Sequence, residues 1–263
     1  MTETSPLDAA HAAMEAAPDD GAARLRFYER LGDNELFLLL TEEAQGDALS
    51  PEVFEVADGQ FVLAFDRESR LAQFTGQPAP YAALSGRVLS QMLAGQGVGM
   101  GLNLDVAPSS ILIPADALAW LSETLRHAPD EITSRFSKIS VPAGLPEAVI
   151  SALDTKLATA SGYAQAAYLV GVVYENGARG HLLGFVGAQP HTQTALAKAA
   201  GEALTFSGVE AGSIDVAFFD EADQITAKLD RFGLRFDLPT PPDPELVGNI
   251  APGSNPDKPP ILR

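Results

Sequence analysis

The sequence predicts an α+β fold of two small domains, each a mixed or mainly antiparallel sheet packed with helices. Segments with the apolar spacing of helices alternate with short apolar or alternating segments typical of strands. Two pairs of these strand segments turn on Asp58-Gly59 and Asn176-Gly177, dipeptides that favour hairpins. The length of 263 residues is enough for two domains with a core each.

The first domain is predicted to cover residues 1–126. Apolar side chains recur at helical spacing around 22–31, and Met100, Leu102 and Leu104 alternate with smaller or polar residues as in a strand covered on one side. The resulting order, with helices as H and strands as E, is H from Pro6, H 22–31, E 35–41, E 53–57, E 60–65, H 66–74, H 85–94, E 100–105, E 110–113 and H 115–125.

Two of these helices have apolar faces that we assign to the core. In the helix at 85–94 the face contains Val88, Leu89, Met92 and Leu93. Pro114 is placed to start the next helix, which has its buried stripe at Leu118, Leu121 and Leu125, beside Trp120.

A proline-containing segment, 127–145, is predicted to be a linker, followed by a second domain at 146–236. Its predicted order is H from 146, E 164–174, E 180–187, H 195–204, E 214–219 and H 221–232. Residues 237–263 contain eight prolines and are predicted to form an extended tail. The apolar end of this tail, PPILR, is expected to dock either on its own domain or on a partner.

The composition argues against several classes of protein. The net charge is −18, from 35 acidic and 17 basic residues, which disfavours binding to nucleic acid or to an anionic membrane. The acidity favours solubility or a basic partner protein. The absence of cysteine excludes disulfides and thiolate chemistry. The longest apolar run, 166–174, is about half of a membrane span, and no signal peptide is recognised, so a cytoplasmic location is expected.

No pattern in the sequence indicates a catalytic residue, a cofactor or a metal site. The glycines at 95, 97, 99 and 101 lack the spacing of a phosphate-binding loop, and we expect them to end a helix and form a flexible loop. Histidines 11, 127, 181 and 191 lack zinc-site spacing. A group of carboxylates at 215, 220, 221 and 223 resembles a cation site, but Asp220 is better explained as the N-cap of the last helix, with Glu221 and Asp223 in its first turn.

Several passages resemble a known family, the enhanced serine sensitivity protein B (SseB) family, with its N-terminal and C-terminal SseB domains. In the first half these are ARLRFYERL, SGRVLSQML and GLNLDVAPSSILIPADALAWL; in the second they run from GLPEAVISALDTKLATASGYAQAAYLVGVV to IDVAFFDEA. The resemblance implies a soluble bacterial protein that is linked by name to serine sensitivity. It implies no catalytic residues.

We therefore expect a non-enzymatic protein with an interaction or regulatory role and a protein partner. The alternative is a sensor that binds a small, amino-acid-like ligand between the domains. The predicted interaction surface is the exposed edge formed by Asn103, Asp105, Ser109 and Ser110. On this interpretation Asn103→Ala or Ser109→Ala leaves the fold intact, whereas Leu102→Asp unfolds the first domain by burying a charge.

Overall fold

The computed structural model describes residues 4–44, 48–56, 59–126, 136–208 and 214–238. Its helices are α1 Pro6–Ala16, α2 Gly21–Asp33, α3 Glu68–Thr75, α4 Gly86–Leu93, α5 Ala115–Arg126, α6 Glu147–Leu157, α7 Pro190–Phe206 and α8 Thr226–Phe232. Its strands are β1 Glu35–Leu39, β2 Val53–Val56, β3 Gly59–Phe65, β4 Tyr81–Ser85, β5 Val98–Leu102, β6 Ile111–Ile113, β7 Phe136–Ser140, β8 Ala166–Tyr174, β9 Arg179–Val186, β10 Ile214–Phe219 and β11 Leu234–Asp237. The predicted α+β class with two mixed sheets packed with helices is confirmed.

The first sheet has the strand order β4-β1-β3-β5-β6, and β2 also pairs with β3. The predicted hairpin is present, because β2 and β3 are antiparallel, with Val53 opposite Val62. Its turn at Asp58 lies outside the described residues. Strand β5 runs parallel to β3 and antiparallel to β6, so it is an inner strand of the sheet.

Both faces of β5 are covered, which corrects the expectation of a strand covered on one side. A Cβ atom built on Gly99 would lie 2.6 Å from the carbonyl oxygen of Ile113 and 2.6 Å from the Phe61 ring. On Gly101 it would lie 2.7 Å from Leu63 and Leu104. These two glycines therefore permit close packing inside the sheet, whereas Gly95 and Gly97 have positive φ angles of 80° and 71° after α4.

The second sheet has the order β10-β9-β8-β11, and β7 also pairs with β8. Strands β8 and β9 form the predicted hairpin, in which Gly177 has φ 83° and Asn176 Oδ1 accepts a hydrogen bond from the backbone of Ala178 at 3.0 Å. Strand β10 runs parallel to β9. Each sheet thus contains a hairpin whose second strand has a parallel neighbour later in the chain. Helix α7 alone separates β10 from β9, whereas α3, β4 and α4 separate β5 from β3.

Three strands were not predicted from the sequence, and they are β4, β7 and β11. All three lie at the margin of a sheet, and their buried positions are few: β4 and β7 contain no fully buried residue, and β11 contains Phe236 alone. A strand with little burial lacks the apolar pattern that identifies it. The segment interpreted as a linker therefore contains β7, a strand of the second sheet.

The last helix is shorter than predicted, because α8 begins at Thr226 and its N-cap is Ile225. The prediction of Asp220 as the N-cap is wrong. The backbone of Asp220 instead donates to the carboxylate of Asp223 at 2.8 Å, within a turn that precedes the helix. Local side-chain hydrogen bonds of this type compete with helix formation.

The two halves of the chain share one of the cores. The apolar cluster of the first half includes Phe27, Leu102, Leu118 and, from α7 of the second half, the fully buried Phe206. A second cluster lies under the other sheet and includes Val149, Leu153 and Leu157 of α6. The predicted face of α4 is half right, since Leu89 and Leu93 are buried whereas Val88 and Met92 are exposed.

Candidate functional site

A groove between α2 and α5 has a volume of about 500 Å³ and is here called the Trp120 groove. Its lining combines apolar and aromatic side chains with one cation and one anion. The lining residues are Gly21, Arg24, Leu25, Tyr28, Pro114, Asp116, Ala117 and Trp120.

The local sequence explains how the two helices form this groove. Helix α2 begins where the side chain of Asp20 accepts a hydrogen bond from the backbone of Ala22 at 2.9 Å. Helix α5 begins after Pro114, whose carbonyl accepts from the backbone of Leu118 at 3.2 Å. Leu118 and Leu121 are fully buried and turn α5 so that the intervening Trp120 faces outward, with 42% of its surface exposed.

The aromatic side chains of the groove are held by their neighbours. The rings of Trp120 and Tyr28 pack edge to face with centroids 5.4 Å apart, and Trp120 packs in the same way on Phe206 at 6.3 Å. Tyr28 in turn packs on Phe27 at 5.5 Å. Burial is the largest of the influences that raise the pKa of Tyr28, so its hydroxyl remains a hydrogen-bond donor at neutral pH. The groove is a preformed aromatic surface with a polar group within it.

The surface predicted from the sequence at residues 103–110 is wrong for two of its four members. Asn103 and Ser109 are fully buried, whereas Asp105 and Ser110 are exposed. Asn103 Nδ2 donates to Ser109 Oγ at 2.8 Å, and Asn103 Oδ1 accepts from the backbone of Asp66 at 3.0 Å. Polar groups that satisfy one another inside the fold are withdrawn from the surface. For Asp105 and Ser110 an interaction role stays a prediction.

Ser109 continues this contact into a buried ionic network around Arg70. Ser109 Oγ donates to Asp8 Oδ1 at 2.6 Å, and Arg70 binds Asp8 through both terminal nitrogens at 3.1 and 2.5 Å. Arg70 also binds Asp66 Oδ1 at 2.7 Å. Burial alone raises the pKa of Asp8, but the hydrogen bonds from Arg70, Ser109 and Ser5 offset it and hold that pKa far below its usual range. These groups satisfy one another, so the network ties α1 to α3 and to the β5–β6 loop.

A second ionic cluster joins the two halves of the chain. Arg87 on α4 binds both carboxylate oxygens of Glu202 on α7, at 2.7 and 2.9 Å. Lys156 on α6 lies 2.9 Å from Glu202 and 2.7 Å from Asp33 of α2. Burial alone lowers the pKa of Lys156, but Asp33 and Glu202 offset this and raise it, so the ammonium group stays charged.

Glu29 is the least satisfied member of this cluster. Its Oε1 lies 3.7 Å from Lys156 Nζ, and this buried atom accepts no hydrogen bond. Burial raises the pKa of Glu29, and Lys156 only partly opposes that effect. Glu29 also lines a cleft of about 410 Å³ between α1, α2 and α6, here called the Glu29 cleft. Its other charged lining residues are Arg26 and Arg30, and its walls contain the alanines Ala9, Ala10, Ala13, Ala23, Ala148 and Ala152.

The carboxylates that resembled a cation site in the sequence have separate partners. Asp215 accepts a hydrogen bond from the hydroxyl of Tyr174, and Glu221 accepts one from Gln165. Among the residues that the structure describes, no group of three or more histidines and carboxylates is arranged to hold a metal ion. His11 packs on Phe27, and His181 Nε2 lies 3.1 Å from the carbonyl oxygen of Ala143; His127 lies outside the described residues.

Sequence reasoning missed the Trp120 groove because it assigned Trp120 to the neighbourhood of the core stripe. A usable signal was present. Ala117 and Trp120 on one helix, and Leu25 and Tyr28 on another, are each three residues apart and therefore share a face. That these two faces lie side by side depends on the tertiary arrangement.

The fold is a two-domain α+β architecture with an apolar groove on its first domain. Comparison with protein families finds one match in this domain: residues 7–120 match the SseB protein N-terminal domain. Comparison with curated proteins and with solved structures gave no significant match. No helix within the described parts of the chain has the length and apolar content needed to cross a membrane.

Proposed function

We propose that this protein is a non-enzymatic interaction protein that binds an apolar segment of a partner protein in the Trp120 groove. The observation that carries the proposal is the exposure of Trp120 in a groove that also presents Tyr28 and Leu25. Tryptophan and tyrosine dominate the binding energy of many interfaces, since they bury much apolar area with little loss of conformational entropy. The edge-to-face contacts of Trp120 fix its ring before any partner binds.

The proposal is tested by comparing two charged substitutions of exposed or partly exposed apolar residues. Ala117→Glu places a carboxylate inside the groove and leaves Trp120 in place. Met92→Glu is the matched control, because Met92 is exposed on α4 and does not line the groove. Proteins cross-linked in cells to the parent and to Met92→Glu, but not to Ala117→Glu, support the proposal. If the parent and both variants have the same melting temperature and are cross-linked to the same set of proteins, the proposal is contradicted.

We also propose that residues 146–236 form an SseB-like C-terminal domain of a cytoplasmic protein. The support is topological, because each sheet contains a hairpin, β2–β3 or β8–β9, whose second strand pairs in parallel with a later strand, β5 or β10. Detection of the intact chain in cell fractions tests the location. We expect the chain in the cytoplasmic fraction, and its recovery from the membrane or the periplasm counts against a cytoplasmic location.

A second candidate function is a sensor for a small amino-acid-like ligand, and the Glu29 cleft favours it. An amino acid carries an ammonium group and a carboxylate, and the cleft offers Glu29 to the first and Arg26 and Arg30 to the second. A thermal-shift screen of the amino acids tests it, since a ligand at 100 times its dissociation constant adds about 2.7 kcal/mol to the stability. A shift that is lost in Glu29→Gln supports this function, and no shift with any amino acid rejects it.

A further inference from the structure

We infer that residues 258–263 of the same chain, KPPILR, occupy the Trp120 groove. This segment lies outside the described residues, and the inference depends on its sequence and on the groove. The inference rests on the proposed function, because both require that the groove binds an apolar segment. It adds that this segment of the same chain occupies the groove before a partner binds. A partner would then have to displace the segment to bind.

The chemistry of the groove fits consecutive prolines. Proline-rich segments favour the extended polyproline II conformation, which leaves apolar ridges that dock on aromatic-lined grooves at little entropic cost. Trp120 and Tyr28 stand 5.4 Å apart edge to face, and Leu25 and Pro114 complete an apolar lining. Pro259 and Pro260 are followed directly by Ile261 and Leu262, so four apolar residues in succession are available to fill the groove.

Charge distinguishes this segment from the other proline pair in the tail. KPPILR begins with Lys258 and ends with Arg263, and it contains no acid, although Asp257 precedes it. By contrast, Pro241 and Pro242 lie between Asp237 and Asp243. The groove presents both Arg24 and Asp116, so its own charges balance, but residues 1–140 hold 21 acids against 9 bases. The basic segment is attracted to this acidic half of the chain, and the acidic segment is repelled.

The tail is long compared with the size of the folded molecule. Twenty residues separate Leu238, the last described residue, from Pro259. In an extended conformation they span roughly 60 Å. A folded chain of 263 residues has a radius of gyration of about 18 Å. The extended span is about three times this radius, so the segment can reach a large part of the surface of its own molecule.

The chain contains a single tryptophan, so its intrinsic fluorescence reports on this groove alone. The test compares the full-length parent with Pro259→Ala/Pro260→Ala and with the matched control Pro241→Ala/Pro242→Ala. We expect the first variant to shift the Trp120 emission to longer wavelength and to raise its quenching by acrylamide, because the ring becomes more hydrated. The control is expected to match the parent. Identical emission and quenching in all three proteins overturn the inference.

A cross-link identifies the occupant directly. Because the chain has no cysteine, Ala117→Cys provides one thiol in the groove for a photoreactive maleimide. We expect the product to migrate as a monomer and to join position 117 to a peptide from 258–263. A covalent dimer, which means the segment of a second copy, or a monomer joined at 239–250, overturns the inference.

The two proposals fail separately. If the proline variant leaves Trp120 fluorescence unchanged while Ala117→Glu still loses its cross-linked partners, the tail is not the occupant and the groove remains a partner site. If Ala117→Glu loses no partner but the proline variant shifts the emission, the groove holds the tail and the proposed function is wrong.

Discussion

At the scale of single residues, Asn103 connects more of the first domain than its place in a turn suggests. Its backbone donates to the carbonyl of Ala64, and its side chain joins the backbone of Asp66 to Ser109. Its φ angle of 50° is left-handed, a conformation that asparagine tolerates better than most residues. Asn103 therefore forms hydrogen bonds with the end of β3, with the residue that follows it, and with Ser109 of the Arg70 network.

Replacement of this residue is expected to be destabilising. Asn103→Ala removes the acceptor of the Asp66 backbone and the donor to Ser109 Oγ, which still donates to Asp8, and it forces alanine into a left-handed conformation. We expect the free energy of unfolding in urea to fall by about 1–3 kcal/mol from the hydrogen bonds, plus a further contribution from the backbone. This replaces the sequence-based expectation that Asn103→Ala is tolerated.

Asp105→Ala isolates the backbone contribution, because Asp105 also has a positive φ angle, 60°, but is exposed. Its loss of stability is expected to be smaller than that of Asn103→Ala. Equal losses would mean that the hydrogen bonds of Asn103 contribute nothing.

The two glutamates of the cluster between the halves are expected to respond to pH in opposite ways. The pKa of Glu202 is lowered, because Arg87 and Lys156 offset its burial, so its stabilisation is present above its ordinary pKa of 4.5 and is lost as pH falls through the folded value. The pKa of Glu29 is raised by burial, so between 4.5 and that raised value stability falls as pH increases.

Glu202→Gln and Glu29→Gln test this pair. We expect Glu202→Gln to lose about 3 kcal/mol at pH 7, since Arg87 and Lys156 lose a buried partner, and to lose less at pH 4. Glu29→Gln should equal or exceed the parent at pH 7 and lose that advantage towards pH 4.5. Urea unfolding at several pH values measures both, and equal destabilisation at pH 7 would contradict the assignment of Glu29 as the unsatisfied group.

At the scale of elements, strand β5 depends on the absence of side chains at two positions. Gly99→Ala places a Cβ atom 2.6 Å from a backbone oxygen and from the Phe61 ring, so the sheet must shift. We expect a loss of about 1–3 kcal/mol from this overpacking, measured by urea unfolding.

Gly21→Ala is the control, because its Cβ meets nothing within 4 Å. Alanine in place of glycine at such a helical position adds about 0.4–1 kcal/mol. Similar losses in the two variants would show that the space around Gly99 is not limiting.

Elements with a strong apolar pattern could be predicted from the sequence, and those without one could not. The core residues of α5, Leu118, Leu121 and Leu125, repeat at intervals of three and four residues and are buried as predicted. Strands β4, β7 and β11 bury little of themselves, so only pairing with a neighbour defines them. The Trp120 groove was not predicted for a similar reason. The sequence indicates each of the two helix faces separately, but only the tertiary structure places them side by side.

At the scale of the whole molecule, Phe206 and the Arg87–Glu202 pair join the two halves. Phe206 lies in the core of the first half although α7 packs in the second. We expect Phe206→Ala to lose about 3–5 kcal/mol and to shift the unfolding of both halves, followed by Trp120 fluorescence for the first and far-UV circular dichroism for the whole.

Phe185→Ala serves as the comparison, because Phe185 is equally buried but belongs to the second core alone. If the two halves unfold as one unit, the fluorescence and dichroism transitions coincide in both variants. A Phe206→Ala protein whose fluorescence transition matches that of the parent would show that the halves are independent.

The position of Phe206 in the sequence also determines when the first core can be completed during synthesis. The last core residue that the first half supplies for itself is Leu125, and the ribosome must add 81 further residues before Phe206 exists. At about 5–20 residues per second this takes roughly 4–16 s. During that interval the nascent first domain lacks the core side chain that packs on Trp120, so its first core is completed only when α7 has been synthesised.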